Sequence, residues 1–230
     1  VLSARPADVV RAFGGPAATS LLAPHERRRW DAFRHPADRE AYLAAHLLVR
    51  ECAARLTGLP VASVQVAQLC PTCGSAEHGR PLLAGRADVH LSLGYRRGAV
   101  VAGAAGAPLG VDVEPPVTPG AREELVSTVL TPAEAEAVRT AADPAREVLR
   151  FWVRKESLVK VGLATLDTLR VIDLTRATDQ AFLDGRAHSR LGEVHLVDWF
   201  DAGLAAAVGV AASAPPVVAA FGPAAGEPRS

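Results

Sequence analysis

Lysine is almost missing from this chain. Of its 25 basic residues all but Lys155 and Lys160 are arginine. Lys is a compact ammonium that can approach a single phosphate oxygen or release a proton, whereas Arg is a fixed planar fork. Two lysines this close together in an arginine-writing chain therefore point to a local need. Net charge is missing too: 25 basic side chains face 25 acidic ones, so no global field draws the chain to nucleic acid or to an anionic membrane. No apolar run is long enough to cross a bilayer, the Ala/Val stretch at Ala205–Ala212 included. The N-terminus lacks a basic segment followed by an apolar one, so no secretory signal is expected. Cysteine is scarce and odd in number, at three, which excludes a disulfide framework. A cytoplasmic, soluble protein is expected, with neither nucleic acid nor membrane as partner.

What is present concentrates in two stretches, Gly110-Val111-Asp112-Val113-Glu114 and Trp152-Val153-Arg154-Lys155-Glu156-Ser157-Leu158-Val159-Lys160. The first alternates as a strand does, sending Val111 and Val113 to one face and both carboxylates to the other. Two carboxylates on one face repel unless a cation sits between them, and oxygen-only ligation suits Mg²⁺. The second reads as a helix with Asp143 at the N-cap, Pro144 at the first position and Gly162 as the stop. Trp152, Glu156 and Lys160, four residues apart, share one stripe of it. Taken singly, each stretch also fits a plainer reading: a solvated strand end, or a surface ion pair.

The rest of the chain reads as mixed α and β, an α+β pattern within the size of one large domain or two small lobes. Helices are predicted over 24–34, from Pro36 to Gly58, and from Thr131. Strands are predicted near 61–67, 89–93, 98–104, 109–113, 169–174, 193–201 and 204–211. Residues 68–81 read as a loop, and the Pro/Ala/Gly-rich tail 214–230 is expected to fray.

In their order the motifs resemble the surfactin-type 4′-phosphopantetheinyl transferases. The resemblance spans roughly residues 22 to 212. It rests on Gly110–Glu114, on Trp152–Lys160 about forty residues later, on Gly79-Arg80-Pro81, on His90-Leu91-Ser92-Leu93, and on Glu26-Arg27-Arg28-Arg29 followed by a helix ending Leu47-Leu48-Val49-Arg50. It implies two similar α/β lobes in a pseudo-twofold arrangement, 1–107 and 108–213, with the ligand cleft between them and 214–230 as a tail. It implies transfer of the phosphopantetheine arm of coenzyme A to a serine of an acyl or peptidyl carrier protein, with release of 3′,5′-ADP. Such chemistry serves polyketide, nonribosomal peptide or fatty acid biosynthesis. A monomer is expected. Asp112, Glu114 and Glu156 would hold Mg²⁺, with Mn²⁺ as an alternative ion. Glu156 would take the serine proton and Lys160 would act on the departing phosphate. Coenzyme A would be held by Arg29, Arg39, Arg80, Ser92, Lys155 and Lys160, Lys155 either gripping the diphosphate or shaping the site. The chain departs from the family at Leu93, where a His usually contacts the 3′-phosphate; His90, Arg96 or Arg97 could replace it.

Two rival readings are a metal-dependent phosphodiester hydrolase and a non-catalytic module that binds carrier proteins. The acidic triad with Lys160 counts against the second. Cys70-Pro-Thr-Cys73 with His78 five residues later could be half of a zinc site, but four ligands are not found in the sequence, so a pair of ordinary thiols is expected there.

Overall fold

In the computed structural model, residues 1–70, 73–183 and 185–222 are described. Every α-helix among them opens on proline: α1 (Pro6–Ala12), α2 (Pro24–Ala32), α3 (Pro36–Thr57), α4 (Pro119–Thr128), α5 (Pro132–Thr140) and α6 (Pro144–Val161). At the first helical position the missing N–H costs nothing and the fixed φ is already helical. The two long helices, α3 and α6, stop at Gly58 and Gly162, both with positive φ. Helices α1 and α4 carry the same proline signal but were not expected; α4 buries no residue, so hydrophobic periodicity does not betray it.

The strands are β1 (Leu2–Ala4), β2 (Val66–Leu69), β3 (Arg80–Leu83), β4 (His90–Arg96), β5 (Ala99–Ala105), β6 (Leu109–Glu114), β7 (Thr178–Asp179), β8 (Ala187–Leu191), β9 (Val194–Asp201), β10 (Ala206–Ala212) and β11 (Ala219–Ala220). They form a sheet ordered β11-β1-β5-β4-β3-β2 and a second ordered β6-β10-β9-β8-β7. All pairings are antiparallel except that of β11 with β1. Alternation along the strands builds the layers. Val100 and Ala102 of β5 join α3 in one apolar cluster, while Ala99 and Val101 join Val111 and Val113 of β6 and Val208 and Val210 of β10 in another. The order is helix, sheet, sheet, helix, with α3 on one outside and α6 on the other. The valines of Gly110–Glu114 thus face the sheet interface, and the carboxylates face α6.

One device occurs in each half. In α2, Glu26 accepts from the Ala23 N–H at 2.7 Å, closing its own helix start, and is paired with Arg50 of α3 at 2.5 Å. In α5, Glu134 accepts from the Thr131 N–H at 2.8 Å and is paired with Lys155 of α6 at 2.6 Å. All four side chains are almost completely buried. A Pro-x-Glu opening in a short helix is therefore bolted to a cation in the long helix beside it. Burial alone would raise the Glu26 carboxyl, but hydrogen bonds from His46 and Arg50 hold it at about 2. Burial pushes the Lys155 ammonium down, against the opposing pull of Glu134.

Several expectations fail locally. Residues 169–174 are not a strand but turns of 3₁₀ helix, Leu166–Val171 and Leu174–Arg176. The backbone there is diverted to the buried pair: Leu169 O accepts from Lys155 Nζ at 2.6 Å, and the Leu174 N–H donates to Glu134 at 2.9 Å. Val61–Ser63 is likewise a single 3₁₀ turn after Pro60, and the strand begins only at Val66. Strands β3 and β8 were missed, since β3 lies in the Gly- and Pro-containing stretch that reads as loop. The first part of the tail does not fray. The Val1 amino group donates to Val217 O at 2.7 Å, and β11 pairs in parallel with β1. Residues 223–230 of that tail lie outside the described residues.

Candidate active site around Asp112

Helix α6 lies unusually close to β6 because position 110 has no side chain. A Cβ on Gly110 would stand 2.1 Å from Ser157 O and 2.6 Å from the Val161 N of the helix backbone. That approach brings the stripe Trp152, Glu156, Lys160 over the carboxylates of β6. Lys160 Nζ donates to Asp112 Oδ1 at 2.6 Å. The Trp152 indole lies near enough to Glu114 to favour its charged form. Glu156 sits between them, within electrostatic reach of Asp112, Glu114 and Lys160.

Asp112 is 2 % exposed, and its second oxygen, Oδ2, is buried with no hydrogen-bond partner. Such an orphaned charged oxygen is costly. Glu114 is buried as well and takes both oxygens to Arg96, one at 2.9 Å from Nε. Burial raises its pKa first, and the neighbouring Asp112 charge adds to that, while Arg96 and Trp152 pull it back. Glu156 is raised by burial, then by Asp112, with Lys160 opposing. Three carboxylates gathered around one unpartnered oxygen, with burial and the Asp112 charge raising both glutamates, form a donor set that fits a hard divalent cation. The donor atoms are not drawn tightly together, however. Among the described residues the only group of three His, Cys, Asp or Glu with ligand atoms within 4.8 Å of one another is Cys70, Cys73 and His78. Asp112 and Glu114 instead hold Lys160 and Arg96.

The remaining candidates fall into four groups. Arg80 stays with the site. Its guanidinium lies where a Cβ on Gly162 would be, just past Lys160, and both Arg80 and Lys160 line a cavity of about 560 Å³ with His90 and Leu91. Arg29 lines a separate cavity of about 270 Å³ with Tyr42, His78, Gly79, Leu93 and Tyr95.

Ser92 and Arg39 are spoken for by the scaffold. Ser92 is buried, and its Oγ accepts from the Val111 N–H at 3.0 Å, bracketing β4 to β6 across the two sheets. Arg39 donates to Phe33 O at 2.8 Å and Asp31 O at 3.3 Å, closing the end of α2, with Trp30 against its guanidinium.

Lys155 requires a correction. It is neighbour in sequence to Glu156 but points the other way, into a closed socket of Glu134, Val129 O and Leu169 O, with no exposure. A ligand diphosphate does not reach it, so its part is to fix the α5–α6 packing. Two of the three substitutes considered for the Leu93 departure are also engaged: Arg96 with Glu114, and Arg97 with Asp38 at 2.6 Å and 2.9 Å. Arg29 shares Leu93's cavity, along with His25, His46 and His78.

Residues 108–208 match the model of the 4′-phosphopantetheinyl transferase superfamily. The match begins just before β6 and ends within β10, so it takes in Asp112, Glu114, Glu156 and Lys160, and it supports phosphopantetheinyl transfer as the general chemistry. No curated protein matches the sequence. Among the described residues, no helix is long and apolar enough to cross a membrane.

Proposed function

We propose that this chain transfers the 4′-phosphopantetheine arm of coenzyme A to a serine of an acyl or peptidyl carrier protein, releasing 3′,5′-ADP, in the cytoplasm and as a monomer. The observation that carries the reading is Asp112: a buried carboxylate with one oxygen held by Lys160, the other unpartnered, and two carboxylates of raised pKa beside it. Asp112, Glu156 and Glu114 would hold Mg²⁺, which when bound supplies charge neutralisation at the diphosphate. Glu156, whose pKa burial raises above its ordinary value, accepts the serine proton. The serine oxygen bonds to the pantetheine-bearing phosphorus, the bond from that phosphorus to the bridging oxygen breaks, and the nucleotide leaves with that oxygen. Lys160 offers its ammonium to the charge that develops there. Arg80 and Arg29 serve the nucleotide end, with Ser92 setting the strand beside it. Two similar lobes with the ligand between them go with this reading, and the repeated pairing of Glu26 with Arg50 and Glu134 with Lys155 supports them.

The test is the intact mass of a carrier protein incubated with the chain, coenzyme A and Mg²⁺. A gain of one phosphopantetheine supports the proposal. Release of 3′,5′-ADP without carrier would mean a hydrolase, and no turnover of either kind would mean a binding module.

A further inference from the structure

The loop between β2 and β3 carries a cluster that the transfer chemistry does not use. Strands β2 and β3 form an antiparallel pair with Leu69 opposite Arg80, so Cys70 and Gly79 follow and precede paired strand ends and lie close together. At that junction Cys70, Cys73 and His78 each bring a ligand atom within 4.8 Å of the other two. Cys73 Sγ and His78 Nε2 are 3.4 Å apart. One tetrahedral zinc, with Zn–S about 2.3 Å and Zn–N about 2.0 Å, sets thiolate and imidazole about 3.5 Å apart.

The backbone is shaped for such a site. After the second thiol the chain turns at Gly74, whose φ of +70° a side chain rarely adopts, and the Gly74 N–H donates to Cys70 O at 2.9 Å. The Cys70 N–H donates to Ser75 O at 2.9 Å. These bonds fold Gly74 and Ser75 back against Cys70. At the far end a Cβ on Gly79 would stand 2.3 Å from Leu69 O, so only glycine lets the strand re-enter directly after the histidine. Among the described residues, Cys73, Gly74, Glu77, His78 and Gly79 are exposed, and Glu77 reaches the body through an exposed pair with Arg28, of a kind that contributes little.

We infer that Cys70, Cys73 and His78 bind a zinc-class divalent ion, with solvent in the fourth position, and that the ion clamps the β2–β3 hairpin. Soft thiolate ligands select zinc over Mg²⁺, so this site and the carboxylates of β6 do not compete for one metal. Its effect is positional: Glu77, His78 and Gly79 form one wall of the cavity that holds Arg29 and Leu93, and Arg80 follows at once. Three protein ligands with an open fourth position are a known zinc arrangement, so a fourth protein ligand is not required.

The test uses the full chain, purified reduced and without added metal. Elemental analysis is expected to find about one zinc per chain, and Co²⁺ in its place is expected to give a near-ultraviolet thiolate charge-transfer band. Cys73→Ser and His78→Ala are expected to lose both, while Asp112→Asn keeps them. Because either loop variant could fold poorly, the wild-type chain supplies a second reading: zinc should protect Cys70 and Cys73 from alkylation, and a chelator should expose them. Absence of both retained zinc and a cobalt thiolate band would overturn the inference. Unchanged zinc in Cys73→Ser would overturn it too, as would a Cys70–Cys73 disulfide that binds no metal after reduction.

Discussion

Lys155 and Lys160 stand five residues apart on one helix, and the structure gives them opposite duties, which a single substitution separates. Lys155→Met keeps the length and apolar stem but removes the charge. Glu134 then stays buried with its bonds from Thr131 and Leu174, its cation gone, and Val129 O and Leu169 O lose their donor. Breaking a buried pair from one side costs about 3–5 kcal/mol, a large part of a typical stability of about 5–15 kcal/mol. With a urea m-value of about 2 kcal/mol/M, the unfolding midpoint should fall by about 2 M. Glu134→Gln together with Lys155→Met should recover much of that loss, because no charge is left stranded. The assay is urea unfolding followed by tryptophan fluorescence, with carrier labelling measured on the folded fraction. The folded variant should keep its KM for coenzyme A near wild type. A midpoint shift under about 0.5 M, joined to a large rise in that KM, would refute the reasoning and return Lys155 to the diphosphate.

Lys160→Ala should lower kcat far more than it raises KM for coenzyme A, as expected of a group acting on transition-state charge; normal turnover with weak binding would make Lys160 a binding residue only. Glu114 and Glu156 have raised pKa values, so without metal their contribution to stability is fullest below the ordinary carboxylate range and is lost as pH rises through the raised values. Mg²⁺ should therefore raise Tm more at about pH 7.5 than at about pH 5, and Asp112→Asn should shrink that shift; an equal shift at both pH values would remove the ion from this cluster. Gly110→Ala should either destabilise the fold or push α6 away, with kcat falling at least tenfold, since its methyl meets helix backbone at 2.1 Å; full activity would mean the close approach does not matter. Leu93→His should sharpen the preference for coenzyme A over its 3′-dephospho form, read as a ratio of kcat/KM values, because the new ring would join Arg29 in one cavity; an unchanged ratio would place the 3′-phosphate elsewhere.

The sequence by itself determined the local elements whose signals are local. Proline at N1 and glycine at the stop mark α3 and α6 because both residues act on their own φ. Period-two alternation in Gly110–Glu114 set the carboxylates on one face, and period four put Trp152, Glu156 and Lys160 on one stripe. It did not determine that the strand face and the helix stripe would meet, which depends on Gly110 clearing the way between partners 47 residues apart. Nor could it tell Lys155 from Lys160, since five residues of helical rotation turn Lys155 about 140° away from the stripe and into the packing behind it. The turns at 166–176 were illegible for a related reason: their backbone is spent on Glu134 and Lys155, a pair formed only once α5 and α6 dock. Cys70, Cys73 and His78 were visible as letters. Only the hairpin, by closing Leu69 onto Arg80, made them neighbours.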